Sequence, residues 1–197
     1  MSAPESESMP RATPGIRFAS CAADIVEIAA LHGRAPELEN IAGARGLDLP
    51  VLGRVAVASG QLALGVRPAR WLLLAPPTHS GATAARWQAA CGRAGAAVDL
   101  SSGLAAWRLA GPQVRDALAR ACRLDLDPQV FPAGSAAATV MAQVAVILAV
   151  LPSGLLLLTP TSTARHLRAW LASTAKPFGL VSEADVTVGV LSGDRAT

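Results

Sequence analysis

The sequence predicts an α+β domain, an antiparallel or mixed sheet with helices packed on one face. Apolar runs of strand length alternate with helical stripes in both halves of the chain, and Gly- or Pro-marked turns separate neighbouring runs. Of the 197 residues, 52% are hydrophobic, enough for an ordinary core.

Residues 1–20 are expected to be a disordered tail, because MSAPESESMPRATPG is polar, acidic and proline-bearing, with no apolar core of signal-peptide type. The domain is expected over residues 21–180 as two β/α halves, about 21–95 and 96–180. Residues 181–197 read as a loosely attached C-terminal tail, in which VTVGV has the pattern of an edge strand.

In the first half, Ile25 to Leu31 is an apolar run whose period leaves strand and helix open. Pro36, Leu38, Ile41, Ala42 and Arg45 fit a short helix with proline near its first turn and Gly46 as a stop. RVAVAS (Arg54–Ser59) and the run Gln61–Val66 flank Gly60 and suggest a hairpin. WLLLA (Trp71–Ala75) is a buried strand ended by Pro76 and Pro77, after which Thr78 is placed to cap a helix running to about Arg93.

The second half repeats the order. Ala97 to Leu109 begins as strand, and Gly111-Pro112 opens a helix with Val114, Ala117, Leu118, Ala121 and Cys122 on one face, the stripe of a core-facing helix. Ala138–Val150 and Leu155–Leu158 supply strands. Pro152, Ser153 and Gly154 interrupt the apolar run from Val144 to Leu158, so neither piece approaches the ~20 residues of a spanning helix, and no membrane segment is expected. The last helix is expected over Thr159–Ser173, with Ala164, Leu167, Trp170 and Leu171 inward and Arg165 and Arg168 outward.

Composition narrows the function. Charged residues are 16% of the chain against a usual share of roughly 25%. Much of the apolar excess is alanine, which signals little by itself, and the rest fits surface that a partner covers. The net charge is +3, Lys176 is the one lysine, and the arginines are scattered (Arg11, Arg34, Arg54, Arg86, Arg115, Arg165). With 4% aromatics and no cationic stripe, nucleic acid is not an expected partner. Cys21, Cys91 and Cys122 form no CxxC pair, which argues against zinc or a disulfide framework and for a reducing cytoplasm.

No constellation for chemistry emerges. His32, His79 and His166 are far apart and read as surface or capping residues, and no serine stands in a G-x-S-x-G elbow. Asp125 and Asp127 in LDLDP are explained by a turn, and Asp99 by a hydrogen bond to the turn after it. There is neither a G-x-G-x-x-G nor a P-loop. Catalytic, cofactor-binding and metal-ligating residues are therefore expected to be absent. Trp87, Trp107 and Arg108 are the residue types that anchor interfaces. Trp107 reads better as core, which leaves Trp87 and Arg108 as candidate interface residues.

The segments GLDLPVLGRVAVASGQLALGVRPARWLLLAPP, VDLSSGLAAWRLAGP, ACRLDLDPQVFPAG and TVMAQVAVIL, in this order across residues 46–179, resemble the gamma subunit of heterotetrameric sarcosine oxidase. The xDLSxxxxxxxLxGP element followed by CxLDLDPxxFPxG carries the likeness. The resemblance implies a fold like the folate-binding domain of aminomethyltransferases and a small non-catalytic subunit beside alpha, beta and delta partners. The complex it implies demethylates sarcosine or a related N-methyl amino acid oxidatively. FAD, FMN and NAD would sit in other chains, with tetrahydrofolate accepting the one-carbon unit. The alternative is an independent folate-binding protein of the aminomethyltransferase type, although a K-G-C-Y-type signature is absent.

Overall fold

Consecutive residues of a strand point to opposite faces of its sheet, so a strand with an unbroken apolar run needs cover on both sides. In the computed structural model, which describes residues 14–191, two sheets packed face to face with helices outside each meet that need. Along the chain the elements are β1 (Ile16–Ala22), β2 (Asp24–Ala30), α1 (Ala35–Gly43), β3 (Val55–Ala58), β4 (Gln61–Arg67), β5 (Arg70–Ala75), α2 (Ala82–Cys91), β6 (Gly95–Asp99) and β7 (Leu104–Ala110). There follow α3 (Val114–Ala119), β8 (Ala136–Met141), β9 (Val144–Leu151), β10 (Gly154–Pro160), α4 (Thr161–Ala175), β11 (Leu180–Ser182), β12 (Val186–Thr187) and α5 (Val188–Leu191).

The larger sheet has the order β11-β1-β7-β10-β9-β8, with β12 also on β1, and the smaller one the order β3-β4-β5-β2-β6. All pairings are antiparallel except those of β11 and β12 with β1. Leu62, Leu64, Leu72 and Leu74 meet Ala149, Leu151, Leu156 and Leu158 between the sheets. On the outer face of the small sheet, Leu38 and Ala42 of α1 and Trp87 and Cys91 of α2 pack on Val26, Ile28, Trp71 and Leu73. On the outer face of the large sheet, α3 and α4 bury Val114, Leu118, Leu167 and Leu171 against Trp107, Leu109, Leu155 and Leu157. Each sheet thus carries helices on one face, as expected, and gives its other face to its twin.

Four expectations change. Residues 16–20 are strand rather than tail. Ile16, Phe18 and Ala19 are buried, and Arg17 to Ser20 pair with Ala110 to Trp107, because the alternating IRFASCA run has an apolar face to cover. The rest of the expected tail, residues 1–13, lies outside the described residues. The division at 95/96 does not separate the sheets, because β6 completes the small one and the chain returns to the large one between Asp99 and Leu104. The ambiguous run is β2, separated from β1 by Ala23 alone, so the chain passes from one sheet to the other in nearly continuous strand.

The C-terminal segment is also docked rather than loose. VTVGV contributes strand only at Val186–Thr187, and its remaining residues begin α5. Val188 and Leu191 are buried between the sheets, because they fill the end of that layer. Last, α2 starts from Gly81 at φ 77°, not from Thr78, whose hydroxyl is engaged elsewhere.

Two of the turns with left-handed residues bear directly on stability. Gly111 has φ 126°, and a Cβ there would collide with the Gly15 carbonyl oxygen. The β8–β9 hairpin turns through Ala142 and Gln143, both left-handed (φ 47° and 67°), where Asn-Gly is the favoured pair. Gly111→Ala should lower stability by roughly 2 kcal/mol or more. Gln143→Gly should raise it by about 1 kcal/mol, because the left-handed penalty outweighs glycine's entropic cost. Urea unfolding midpoints of the two variants check both signs.

Candidate functional site

Pro76 and Pro77 end β5 and send the chain over the start of β2, where Asp24 pairs with Ala75. The Asp24 carboxylate lies beneath the returning loop and holds it. Its Oδ2 accepts hydrogen bonds from the Thr78 hydroxyl (2.5 Å), the Thr78 amide (3.2 Å) and the Thr83 hydroxyl (2.6 Å). Thr83 is buried, and its Oγ1 also accepts from Arg86 Nη2 at 2.9 Å. Burial pushes the Asp24 carboxyl pKa up. The bonds from Thr78 and Thr83 and the charge of Arg86 together outweigh burial and bring it below the ordinary value.

Above this network lies a cleft of about 380 Å³ at the end of the small sheet. Arg45, just after α1, and Arg86 on α2 line it together with Gln61 and Thr78, while Leu47, Pro76 and Trp87 form its apolar side. The side chains lining it include two guanidiniums and no carboxylate. Chemically the cleft offers a positive potential, fork-shaped donors and a hydrophobic wall. A second hollow, about 440 Å³, lies beside Arg123, His166 and Trp170.

Of the candidate residues singled out from sequence, Trp87 borders the cleft and the others fall elsewhere. His32 and His79 are exposed in loops, and His166, exposed on α4, donates from Nε2 to the Ala142 carbonyl at 3.3 Å. Asp99 Oδ1 accepts from the Ser101 amide and hydroxyl (2.9 and 2.6 Å), and Ser101 Oγ in turn accepts from the Ile25 amide at 2.9 Å. The DLSS turn therefore ties the β6–β7 crossing to β2. Asp125 and Asp127 bond the amides two residues on, those of Asp127 and Gln129. The Arg115 guanidinium secures the same LDLDP loop through the carbonyls of Leu126 and Phe131.

Trp87 and Arg108, the candidate interface residues, are engaged within the chain. Trp87 is 7% exposed, packed into the outer core of the small sheet at the edge of the cleft. Arg108 bonds the Glu183 carboxylate and the Ser153 carbonyl, each at 3.1 Å, and so holds down the C-terminal segment. Burial pushes Cys21 up to about 12 and raises Cys91 and Cys122 as well, which keeps all three as thiols at neutral pH. The Asp24 network left no mark in the sequence, since Asp24 lies 54 and 59 residues from its two threonines.

The sequence signature of the sarcosine oxidase gamma subunit family matches residues 34–175. The chain belongs to that family. It is 34% identical over 110 residues to a sarcosine oxidase subunit gamma from an Arthrobacter species, and spans about half (54%) of the length of this curated relative. Among solved structures it resembles a heterotetrameric sarcosine oxidase from a Corynebacterium species (TM-score 0.73, 25% identity, 86% of this chain and 88% of that one). It also resembles the aminomethyltransferase T of the glycine cleavage system from Bartonella henselae (TM-score 0.63, 14% identity, 87% of this chain and 48% of that one), a likeness of fold alone. The fold expected from sequence is therefore the fold of this family member.

Because the folded-state pKa of Asp24 is lowered, its contribution to stability is present above the ordinary carboxylate value, near 4, and is lost as pH falls through the lowered value. Asp24→Asn should cost on the order of 1–2 kcal/mol at pH 7. It should also flatten that part of the acid limb. Denaturant titrations between pH 7 and pH 3 on both proteins measure the difference.

Proposed function

We propose that this chain is the non-catalytic gamma subunit of a heterotetrameric sarcosine oxidase-type complex. The observation that carries the reading is the likeness to the Corynebacterium assembly, which covers 86% of this chain and 88% of that one. In this reading the partners are alpha, beta and delta subunits, and the complex oxidatively demethylates sarcosine or a related N-methyl amino acid. FAD, FMN and NAD are held by the partners, and tetrahydrofolate takes up the one-carbon unit. This chain supplies shape and contact area.

Two features of the surface and the thiols support the reading. Val51, Leu52 and Val130 are 75%, 60% and 62% exposed, on loops flanking the seam where Arg54 pairs with Ser135 and joins the edges of the two sheets. Exposed apolar side chains of this size suit a surface that other subunits cover. The three free cysteines suit a reducing cytoplasm. No helix among the described residues is long and apolar enough to cross a membrane.

Co-expression with candidate alpha, beta and delta subunits tests the proposal. The chain should co-purify with them in a stoichiometric complex that produces hydrogen peroxide from an N-methyl amino acid. Purified alone, it should be colourless and inactive. A chain that stays separate from its flavoproteins, or carries flavin by itself, overturns the reading. Micromolar tetrahydrofolate binding by the isolated chain would favour an independent folate-binding protein instead.

A further inference from the structure

The cleft at the end of the small sheet has a chemistry that the subunit reading does not use. Arg45, just after α1, and Arg86 on α2 both line it, and the Asp24 carboxylate accepts a hydrogen bond from Thr83 of the lining. Asp24 Oδ2 already accepts from Thr78 and Thr83, so the two guanidiniums of the lining outnumber one acid that is already satisfied. Each guanidinium has five N–H donors in a planar fork. The bonds from Arg45 Nη1 to the Ile41 carbonyl and from Arg86 Nη2 to Thr83 orient the two groups. Leu47 and Trp87, both largely buried, supply a fixed apolar wall beside them. A volume of about 380 Å³ falls within the usual range for small-molecule sites, roughly 300–1,000 Å³.

We propose that this cleft binds a small carboxylate, with Arg45 and Arg86 holding the anionic group and Leu47 and Trp87 contacting its apolar body. The proposal rests on the geometry of the chain itself and stands whether or not the subunit reading holds. A carboxylate can reach the cleft from two sources, a free metabolite-sized acid or an acidic side chain of a neighbouring subunit. The concave shape and the apolar wall favour the free acid.

Benzoate, acetate and sulfate are the probes, titrated into the ¹⁵N-labelled full-length chain. Benzoate should give saturable shifts at the Trp87 indole N–H and at amides around residues 45, 78 and 86. Acetate and sulfate should bind about tenfold more weakly, since neither reaches the apolar wall. The R45M/R86M variant should lose at least about tenfold in benzoate affinity. Arg45→Gln, at an exposed position after α1, is the second variant if the double one does not fold, and it should lose several-fold. Absence of saturable shifts, equal affinity for sulfate and benzoate, or unchanged binding by the variants overturns the site. Repeating the titration on the assembled complex separates the sources. Retained benzoate binding supports a free ligand, and its loss there alone places a neighbour's acidic side chain in the cleft and overturns the small-molecule assignment.

Discussion

The whole architecture follows from strands that are apolar on both faces. In β5, Trp71 and Leu73 point to one side and Leu72 and Leu74 to the other, and β10 divides Leu155 and Leu157 from Leu156 and Leu158 in the same way. Burying a leucine is worth about 1.5–3 kcal/mol, so exposing either row of two would cost a large share of a domain's usual margin of about 5–15 kcal/mol. Two-sided cover is therefore obligatory. Each sheet covers one face of the other, and helices cover what remains.

The connections serve that arrangement. The chain changes sheets within nearly continuous strand at Ala23 and through the DLSS turn after Asp99, and the sheet edges are stitched again where the Val55 amide reaches the Gly134 carbonyl (2.9 Å) and the Ala136 amide reaches Gly53 (2.9 Å). Ion pairs guard the periphery. Glu27 is held by Arg67 and Arg70, and Glu183 by Arg17 (3.2 Å) and Arg108 (3.1 Å). Such partly exposed pairs contribute little singly, typically under about 1 kcal/mol at the surface. Their role here is positional, for the Glu183 pairs fasten the segment whose α5 closes the layer between the sheets.

The polar site at the end of the small sheet is a consequence of the same plan. A two-proline exit from a buried strand must bring its backbone over the neighbouring strand. Asp24 meets it there with an acceptor for three donors. The loop is thereby tied down at the start of α2, whose Arg86 lines the hollow together with Arg45.

Local pattern alone determined much of this protein. The hairpin around Gly60, the buried WLLLA and LLLL strands, the Pro36 helix and the stripes of α3 and α4 are written in spacing, because periods of two and 3.6 follow from backbone geometry. The turn roles of Asp99, Asp125 and Asp127 were equally legible, since a carboxylate bonding two residues ahead is a local event. The tertiary structure decided what pairs at a distance. A four-residue apolar run says that both faces are buried but not by what, so the second sheet was hidden. Residues 16–20 and 186–191 looked peripheral until β7 and the space between the sheets gave them somewhere to pack. Asp24, Thr83, Arg86 and Arg45 share no motif. Only the fold brings them to one place, because a long-range hydrogen bond leaves no periodicity behind.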